Sequence, residues 1–313
     1  MRRVRAALLL CFTGLTGLAL FVSRSDANAE TVRLVAPGVW FREGDMEQGH
    51  SNNVIIEMKE YMIVVDANYP SGAKAAMADI KRLSKKPVKY VFDTHHHGDH
   101  LYGNAVWTQA GATTLAFKEV AEELKKFEPA RWQDAAKTRA DVAELKRDTA
   151  EAPQQDIKET LHVLNDGSRK VEFRYFGWAH TRGDGFVYLP KEQILCTGDA
   201  VVNGPYNYTA DGNIGNWPTV LKAADKLKVK SVLPGHGMFG GRELIAGQAQ
   251  FFTELHKAVQ EGISQGKSVE ELQSSVKLSG AVDEWVNEKS LKQQIADTYR
   301  EIKEGKPRGE LGQ

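Results

Sequence analysis

The chain has 313 residues, of which 42% are hydrophobic and 26% are charged, and its 41 basic side chains balance 41 acidic ones. This is the composition of an ordinary globular protein, long enough for one large domain or two small ones. The balanced charge gives no reason to expect nucleic acid or an anionic membrane surface as a partner, so a small-molecule partner is expected instead.

The N-terminal segment, residues 1–29, has the layout of a secretory signal peptide. Basic residues precede an apolar run from about residue 6 to residue 22, and Ala27 and Ala29 form a small-x-small cleavage site. We therefore expect a periplasmic or secreted protein that begins at Glu30 and keeps no stable membrane anchor. The alternative is an uncleaved anchor, because an apolar run of about 17 residues lies at the lower end of the length that spans a bilayer.

Cysteine usage is consistent with a fold held by its core. Cys11 lies inside the expected signal, so Cys196 is the single cysteine of the mature chain. No intramolecular disulfide can form there, although the expected compartment is oxidising. Because Cys196 lies in the apolar run QILCTGD, we expect a buried strand residue.

The first half of the mature chain alternates between strand and helix patterns. A helix with apolar residues at helical spacing ends before Pro87, and VKYVFDT predicts the strand that follows it. Residues 117–160 are charged and alanine-rich without turn signals, so they predict a helical insertion that either covers one side of the domain or acts as a lid. Short runs before the first helix predict antiparallel strands at residues 31–35, 39–41, 54–57 and 61–65.

The second half repeats this order. A helix opens at Pro218, SVLP predicts a last short strand, and residues 241–313 predict a helical C-terminal extension. No linker divides residues 30–313. Strands followed by helices, twice over, predict an α+β fold in which two sheets pack face to face with helices outside. The strands of this half are predicted at residues 161–164, 170–176, 186–189 and 193–197.

The stretch THHHGDH, residues 94–100, places four histidines at the end of a predicted strand. Where side chains alternate along a strand, His95 and His97 point one way and His96 the other. Two imidazoles can then reach one cation together, while His96 is expected to stay outside the site.

Gly98 allows a sharp turn that brings Asp99 and His100 round to the same cavity. Imidazole and carboxylate are the ligands that Zn²⁺ and similar metals take. Four candidate ligands within six residues exceed what one tetrahedral ion needs when others come from elsewhere, which indicates two metals.

Three further candidate ligands lie on short, glycine-flanked loops after predicted strands. His180 lies in GWAHTRGD, Asp199 in LCTGDAV and His236 in LPGHG. Such loops allow a rigid scaffold to present side chains into one shared cleft.

Together these side chains resemble the metallo-β-lactamase superfamily of hydrolases, over residues 31 to about 240. The resemblance implies an αββα sandwich with added helices and two Zn²⁺ ions at one edge of the sheets. It implies a first zinc on His95, His97 and His180, a second on Asp99, His100 and His236, and Asp199 as the bridging carboxylate of glyoxalase II-like and lactonase-like branches.

The resemblance further implies a binuclear metal-dependent hydrolase that attacks with a hydroxide shared by the metals, with Asp99 as the catalytic residue that orients it. We expect an ester, lactone, thioester or amide substrate. β-Lactams are an alternative, although Val202 stands where cysteine-bearing lactamases place a lysine. A second alternative is iron-dependent sulfur or oxygen redox chemistry, which some superfamily members perform.

Several residues near these loops have two interpretations. His50 either contacts substrate from a glycine-rich loop or packs within the protein. Four aromatic residues either line the substrate pocket or belong to the core. These are Trp178, Tyr206, Tyr208 and Trp217.

Overall fold

In the computed structural model, which describes residues 32–312, two β-sheets lie face to face between layers of helices. The first sheet has seven strands in chain order, antiparallel from β1 to β4 and parallel from β4 to β7. Its strands are β1 (Val32–Ala36), β2 (Val39–Arg42), β3 (Asn53–Glu57), β4 (Met62–Val65), β5 (Val88–Phe92), β6 (Thr113–Phe117) and β7 (Gln155–Ile157).

The second sheet has five strands in the spatial order β12-β11-β10-β9-β8, and only its β11–β12 pair is parallel. Because β9 and β11 are both antiparallel to β10, the strands β9, β11 and β12 run in one direction. Their carboxyl ends therefore meet at the same edge of the sheet. The strands are β8 (Leu161–Asn165), β9 (Lys170–Tyr175), β10 (Gly185–Leu189), β11 (Ile194–Gly198) and β12 (Ser231–Pro234).

The helices cover the outer faces of the two sheets. They are α1 (Pro70–Leu83), α2 (Gly98–Leu101), α3 (Asn104–Gln109), α4 (Lys118–Thr138), α5 (Ala140–Ala143), α6 (Trp217–Ala224), α7 (Glu243–Ser264), α8 (Val269–Ser275) and α9 (Glu288–Glu304). Short 3₁₀ turns lie at Met46–Gln48, Gly280–Trp285 and Arg308–Glu310. None of the helices among residues 32–312 is long and apolar enough to cross a membrane.

A layer of apolar side chains fills the space between the sheets. Phe92 of the first sheet and Phe173 of the second meet there with ring centroids 4.7 Å apart. Burying a phenylalanine or a branched aliphatic side chain contributes roughly 1.5–3 kcal/mol each. Cys196 belongs to this layer and is 1% exposed, which confirms the expected buried strand residue, and burial raises the pKa of its thiol.

Alternate residues of the same strands face the helices. Ile55 and Val64 pack with α1 and α3, whereas Phe186 and Leu195 pack with α6 and α7. Each sheet is therefore apolar on both faces and buried between two layers. The arrangement confirms the predicted αββα sandwich with added helices.

The predicted helical insertion at residues 117–160 is too long. The helical part, α4 followed by α5, ends at Ala143. Near the end of the segment, β7 pairs parallel with β6. Three residues are too few to show a periodicity, and the pairing of β7, with Ile157 buried between the sheets, fixes them as a strand. The predicted signal peptide lies outside the described residues.

Candidate metal centre

Loops at the carboxyl ends of four strands bring the seven candidate ligands to one edge of the sandwich. The loop after β5 carries residues 95–100, and the loop after β9 carries His180. Asp199 directly follows β11, and His236 follows β12 by two residues. Strand direction thus explains why positions more than 100 residues apart converge.

His95, His97 and His180 form the first ligand group. His97 Nδ1 lies 3.1 Å from His95 Nε2 and 3.0 Å from His180 Nε2. Three nitrogens bound to one tetrahedral zinc at 2.0–2.1 Å lie about 3.3 Å apart. The spacing therefore fits a single ion.

Asp99, His100 and His236 form the second ligand group. Asp99 Oδ2 lies 3.0 Å from His236 Nε2 and 3.4 Å from His100 Nε2. These carboxylate and imidazole atoms also converge on one point.

Asp199 lies between the two groups. Its Oδ2 is 3.7 Å from His180 Nε2 and 3.5 Å from His236 Nε2, and its Oδ1 is 3.3 Å from His100 Nε2. A single carboxylate therefore faces a ligand of the first group and two ligands of the second.

Contacts on the outer side of the imidazoles leave the inward nitrogens free to bind metal. His97 Nε2 lies 2.8 Å from Asp211 Oδ2, and His100 Nδ1 lies 3.0 Å from Asp66 Oδ2. An ionised carboxylate can only accept, so the outward nitrogen carries a proton, and the inward nitrogen of the neutral ring has a lone pair. His180 Nδ1 faces the Tyr208 carbonyl oxygen at 3.0 Å in the same way.

Two inward atoms are buried and have no hydrogen-bond partner among the described residues. They are His100 Nε2 and Asp199 Oδ1. Buried polar atoms normally have a hydrogen-bond partner. These two unpaired atoms lie 3.3 Å apart, a distance at which both can bind one metal ion. With the spacing of the two groups, this shows that the residues fit bound metal.

The protonation preferences of the two groups differ. Burial lowers the pKa of His97 to about 4, and burial together with His100 lowers that of His180 to about 3. Burial opposes charge on His100 too, but Asp99 and Asp199 outweigh it and raise the pKa of His100. The first group is thus neutral, as metal ligation requires, and the second attracts positive charge.

The backbone of residues 95–97 differs from the prediction. Strand β5 ends at Phe92, so the histidines lie in a bend and not on an alternating strand, and His97 directly precedes α2 without a side-chain capping hydrogen bond. The sequence suggests that Gly98 is needed for a sharp turn, but the structure shows a steric reason for glycine at this position. A Cβ at this position would lie 2.8 Å from the ring of Tyr102.

His96 is buried outside the two ligand groups. Its ring stacks on Phe127, and its Nε2 lies 3.4 Å from Asp211 Oδ2. His96, His97 and Asp211 have the spacing of a third metal group, but the guanidinium of Arg131 is already there. Arg131 donates to both carboxylate oxygens of Asp211, at 2.7 and 2.9 Å.

Three carboxylates that support the ligands were missed from the sequence. Asp66 and Asp211 contact His100 and His97, as described above. Asp184 accepts hydrogen bonds from the backbone of His180 and its two neighbours, at 2.7–3.1 Å. Asp66 and Asp211 lie in the sequences DANYP and TADGN, where an aspartate is explained equally well by a turn. One signal could have identified Asp66: like Asp199, it directly follows a strand.

A cavity of about 310 Å³ opens onto Asp199 and onto ligands of both groups, His97 of the first and Asp99 and His236 of the second. Tyr206 and Tyr208 line it, whereas Trp217 is a core residue stacked on Phe252 and Trp178 is not among the lining residues. His50 is also absent from the lining, and its Nε2 lies 2.8 Å from Ser71 Oγ. The lining is completed by Tyr69, His97, Gly98, Asp99, Tyr102, Glu128, Arg131, Ala135 and His236.

This fold and site define a metal-binding αββα enzyme, and comparisons with known proteins identify its family. The family model described as "Metallo-beta-lactamase superfamily" matches residues 46–236. A "Metallo-beta-lactamase type 2" from Bacillus cereus is 27% identical over 201 residues, which cover 62% of this chain and 70% of that protein. A protein of the same name from Bacteroides fragilis is 35% identical over 103 residues, covering 30% and 39%.

Solved structures share the fold. A metallo-beta-lactamase from Pontibacter korlensis has a TM-score of 0.57 and 22% identity, covering 71% of this chain and 98% of that one. The stereoselective inverting sec-alkylsulfatase Pisa1 from Pseudomonas sp. has a TM-score of 0.69 and 18% identity, covering 86% and 49%. The chain belongs to the metallo-beta-lactamase superfamily, and it is a metal-dependent hydrolase.

Proposed function

We propose that this chain is a hydrolase with two Zn²⁺ ions that cleaves an ester, lactone, thioester or amide bond of a small molecule. The observation that carries the proposal is the position of Asp199, which faces His180 of the first group and both histidines of the second. A carboxylate so placed could be shared by two cations, one in each ligand group. Imidazole nitrogen and carboxylate oxygen, without thiolate, are ligands that zinc accepts.

Bound zinc supplies a water of lowered pKa and polarises the substrate's reacting oxygen. Asp99 lines the cavity, and its side chain is 22% exposed. Burial opposes ionisation of Asp99, but His100 and His236 outweigh burial and hold the pKa of this carboxyl well below its usual range. Asp99 is therefore an ionised hydrogen-bond acceptor whose carboxylate oxygen can orient the attacking water.

The cavity favours a substrate whose remaining part is uncharged and partly aromatic. Arg131 is the one arginine or lysine among the lining residues, and its guanidinium is already paired with Asp211 and Glu128. Tyrosine rings supply much of the wall and suit flat or apolar groups. Among the described residues that line the cavity, a substrate carboxylate therefore meets no unpaired cationic side chain.

β-Lactam hydrolysis is a second candidate, because relatives named metallo-beta-lactamase type 2 match over more than half of this chain. Val202 is fully buried in the core between the second sheet and its helices, so this position contributes nothing to the cavity. A lysine at residue 202, three residues after Asp199, could bind the carboxylate of a β-lactam. This chain has Val202 there and therefore lacks that means of recognition.

A substrate screen on the zinc-loaded chain tests the proposal. Nitrocefin, a neutral aryl ester, a lactone, a thioester and an alkyl sulfate ester are compared, with the Asp99→Ala variant as the control for contaminating hydrolases. We expect the highest kcat/KM for one of the neutral carbonyl substrates. Turnover of nitrocefin alone would contradict the proposal in favour of the β-lactamase alternative.

We infer from the sequence that the chain is exported and cleaved after Ala29. The basic start, the apolar run and the small-x-small motif support this inference. Amino-terminal sequencing of the protein recovered from its native host tests it. Glu30 is the expected first residue, and an intact Met1 would contradict export by this route.

A further inference from the structure

A loop at residues 206–215, here called the tyrosine loop, contacts two ligands of the first group. The carbonyl oxygen of Tyr208 lies 3.0 Å from His180 Nδ1, and Asp211 Oδ2 lies 2.8 Å from His97 Nε2. The loop contains no helix or strand. Its position must therefore be fixed by contacts from other parts of the molecule.

Two carboxylates of helix α9 supply three of these contacts. Asp297 Oδ2 accepts a hydrogen bond from the Thr209 hydroxyl at 2.6 Å. Glu301 accepts from the backbone N–H of Ile214 at 2.9 Å and from that of Gly215 at 2.6 Å. Both ends of the tyrosine loop are thus tied to one helix.

The segment after α9 reinforces the same attachment. Arg308 Nε donates to Asp297 Oδ1 at 2.6 Å, and the Arg308 N–H donates to Glu301 Oε2 at 2.8 Å. The N–H of Gly309 donates to the carbonyl oxygen of Gly212 in the loop at 2.9 Å. The C-terminal segment therefore binds α9 and the tyrosine loop at once.

These charged side chains are buried, with exposures of 2% for Asp297, 7% for Glu301 and 5% for Arg308. A buried ion pair is weak evidence for stability, since desolvation offsets much of its attraction. Such a cluster can instead fix the segments that it joins in one defined position. The segment joined here is the one that orients His97 and His180.

We propose that Asp297 and Glu301 are positioning residues for the first metal group, acting through the tyrosine loop. The inference rests on the proposed two-metal site. The second group depends less on this loop, because Asp66 orients His100 and the Ser51 hydroxyl donates to the carbonyl oxygen of Asp99. Disturbing α9 should therefore weaken one metal site selectively.

The Glu301→Gln and Asp297→Asn variants test this selectivity in the full chain. Zinc affinities are measured by chelator competition, and cadmium-113 NMR of the cadmium-loaded chain gives one resonance per site. The His180→Ala and His100→Ala variants assign the two resonances. We expect zinc affinity at the first site to fall by up to about tenfold, the lower end of the effect for a direct partner of a ligand, because Asp297 and Glu301 act through the loop. The resonance that His180→Ala removes should shift or broaden, while the other stays.

The Glu254→Gln variant is the matched control. Glu254 of α7 also accepts hydrogen bonds within the C-terminal extension, two from Ser279 and one from Gln250, and none of these comes from the tyrosine loop. Both zinc affinities should be unchanged in it. Where Glu301→Gln does not fold, Thr209→Val removes one donor to Asp297 and should affect the same resonance.

Equal weakening of both sites, or no change at either, would overturn the positioning role. That result leaves the zinc content and hydrolysis of the unsubstituted chain intact, so it is distinct from a failure of the proposed function. A chain that binds no zinc before any substitution would overturn the proposed function and this inference with it.

Discussion

Adjacent histidines at residues 95–97 have different neighbours although the sequence repeats one side chain. His97 turns its Nδ1 toward two other imidazoles, whereas His96 packs against Phe127 beneath α4. The difference comes from the bend after β5, not from continued strand alternation. A ligand and a buried structural residue are therefore neighbours in the chain.

The matched variants His97→Asn and His96→Asn should separate these roles. We expect His97→Asn to bind one zinc per chain and to lose at least ~100-fold in kcat, since it removes a metal ligand. His96→Asn should keep two zincs. Its free energy of unfolding should be lower by about 1–3 kcal/mol, because buried Asp211 and Glu128 lose a polar neighbour. Elemental analysis measures the zinc content of the two variants, and thermal unfolding measures their stability. A loss of zinc in His96→Asn but not in His97→Asn would contradict the assignment of His97 as the ligand.

Gly235 is required by the close approach of Asp199. A Cβ at residue 235 would lie 2.0 Å from Asp199 Oδ1, far inside any real contact. Gly235→Ala should therefore displace the bridging carboxylate and reduce bound zinc below two per chain. Gly280→Ala, where the nearest atom would be 3.6 Å away, is the control and should keep full zinc content. Equal zinc content in the two variants would show that Asp199 does not bridge.

The candidate ligands could be predicted because metal chemistry restricts them to few residue types at strand ends. The residues that orient them could not be identified in the same way. Asp211 lies in TADGN, where an aspartate is explained equally well by a turn. Its role depends on Arg131, 80 residues away, and such a contact exists only in the folded chain.

At the scale of elements, α4 is part of the cavity wall through Glu128, Arg131 and Ala135. Arg131 links this helix to Asp211 with two parallel hydrogen bonds. A role of α4 as a moving lid stays a prediction. Its static role is to close one side of the cavity.

Arg131→Lys keeps the charge but cannot form the paired hydrogen bonds to Asp211. We expect kcat/KM to fall about tenfold, because the tyrosine loop and α4 lose their common anchor. The control is Arg147→Lys in the same insertion, whose partner Glu151 forms a partly exposed pair that contributes little. Steady-state kinetics on the best substrate of the screen decide this, and equal kcat/KM in both variants would show that the anchor is dispensable.

Element prediction succeeded where a pattern was long enough to reveal its period. The runs at residues 54–57 and 61–65 became β3 and β4, and the helix ending before Pro87 became α1. It failed at β7, a three-residue strand fixed by its pairing with β6. It also could not show that α9 holds a loop of the active site, since polar helix residues suggest a solvated surface.

At the scale of the whole molecule, bound metal should contribute to stability as well as to activity. Five of the seven candidate ligands are buried and the other two, His97 and Asp99, are partly buried, so their polar atoms crowd together inside the fold. Zinc at 1,000 times its Kd adds about 4.1 kcal/mol for one site. Domains of 150–250 residues gain roughly 2–4 °C in Tm per kcal/mol. We therefore expect chelation to lower the Tm by at least ~8 °C, as measured by scanning calorimetry.

The reversal of this shift on adding zinc back is the control for chelator effects. His97→Asn should show a smaller shift than the unsubstituted chain, because one ligand group is incomplete. An unchanged Tm after complete removal of metal would contradict a metal site built into the fold.

The metal content of the purified, chelator-free chain, determined together with its hydrolytic activity, tests the central claim most directly. The proposed function predicts two zinc ions per chain, loss of hydrolysis when they are removed, and recovery when they are restored. One iron per chain with oxygen uptake and no hydrolysis would contradict it and favour the redox chemistry of the same superfamily.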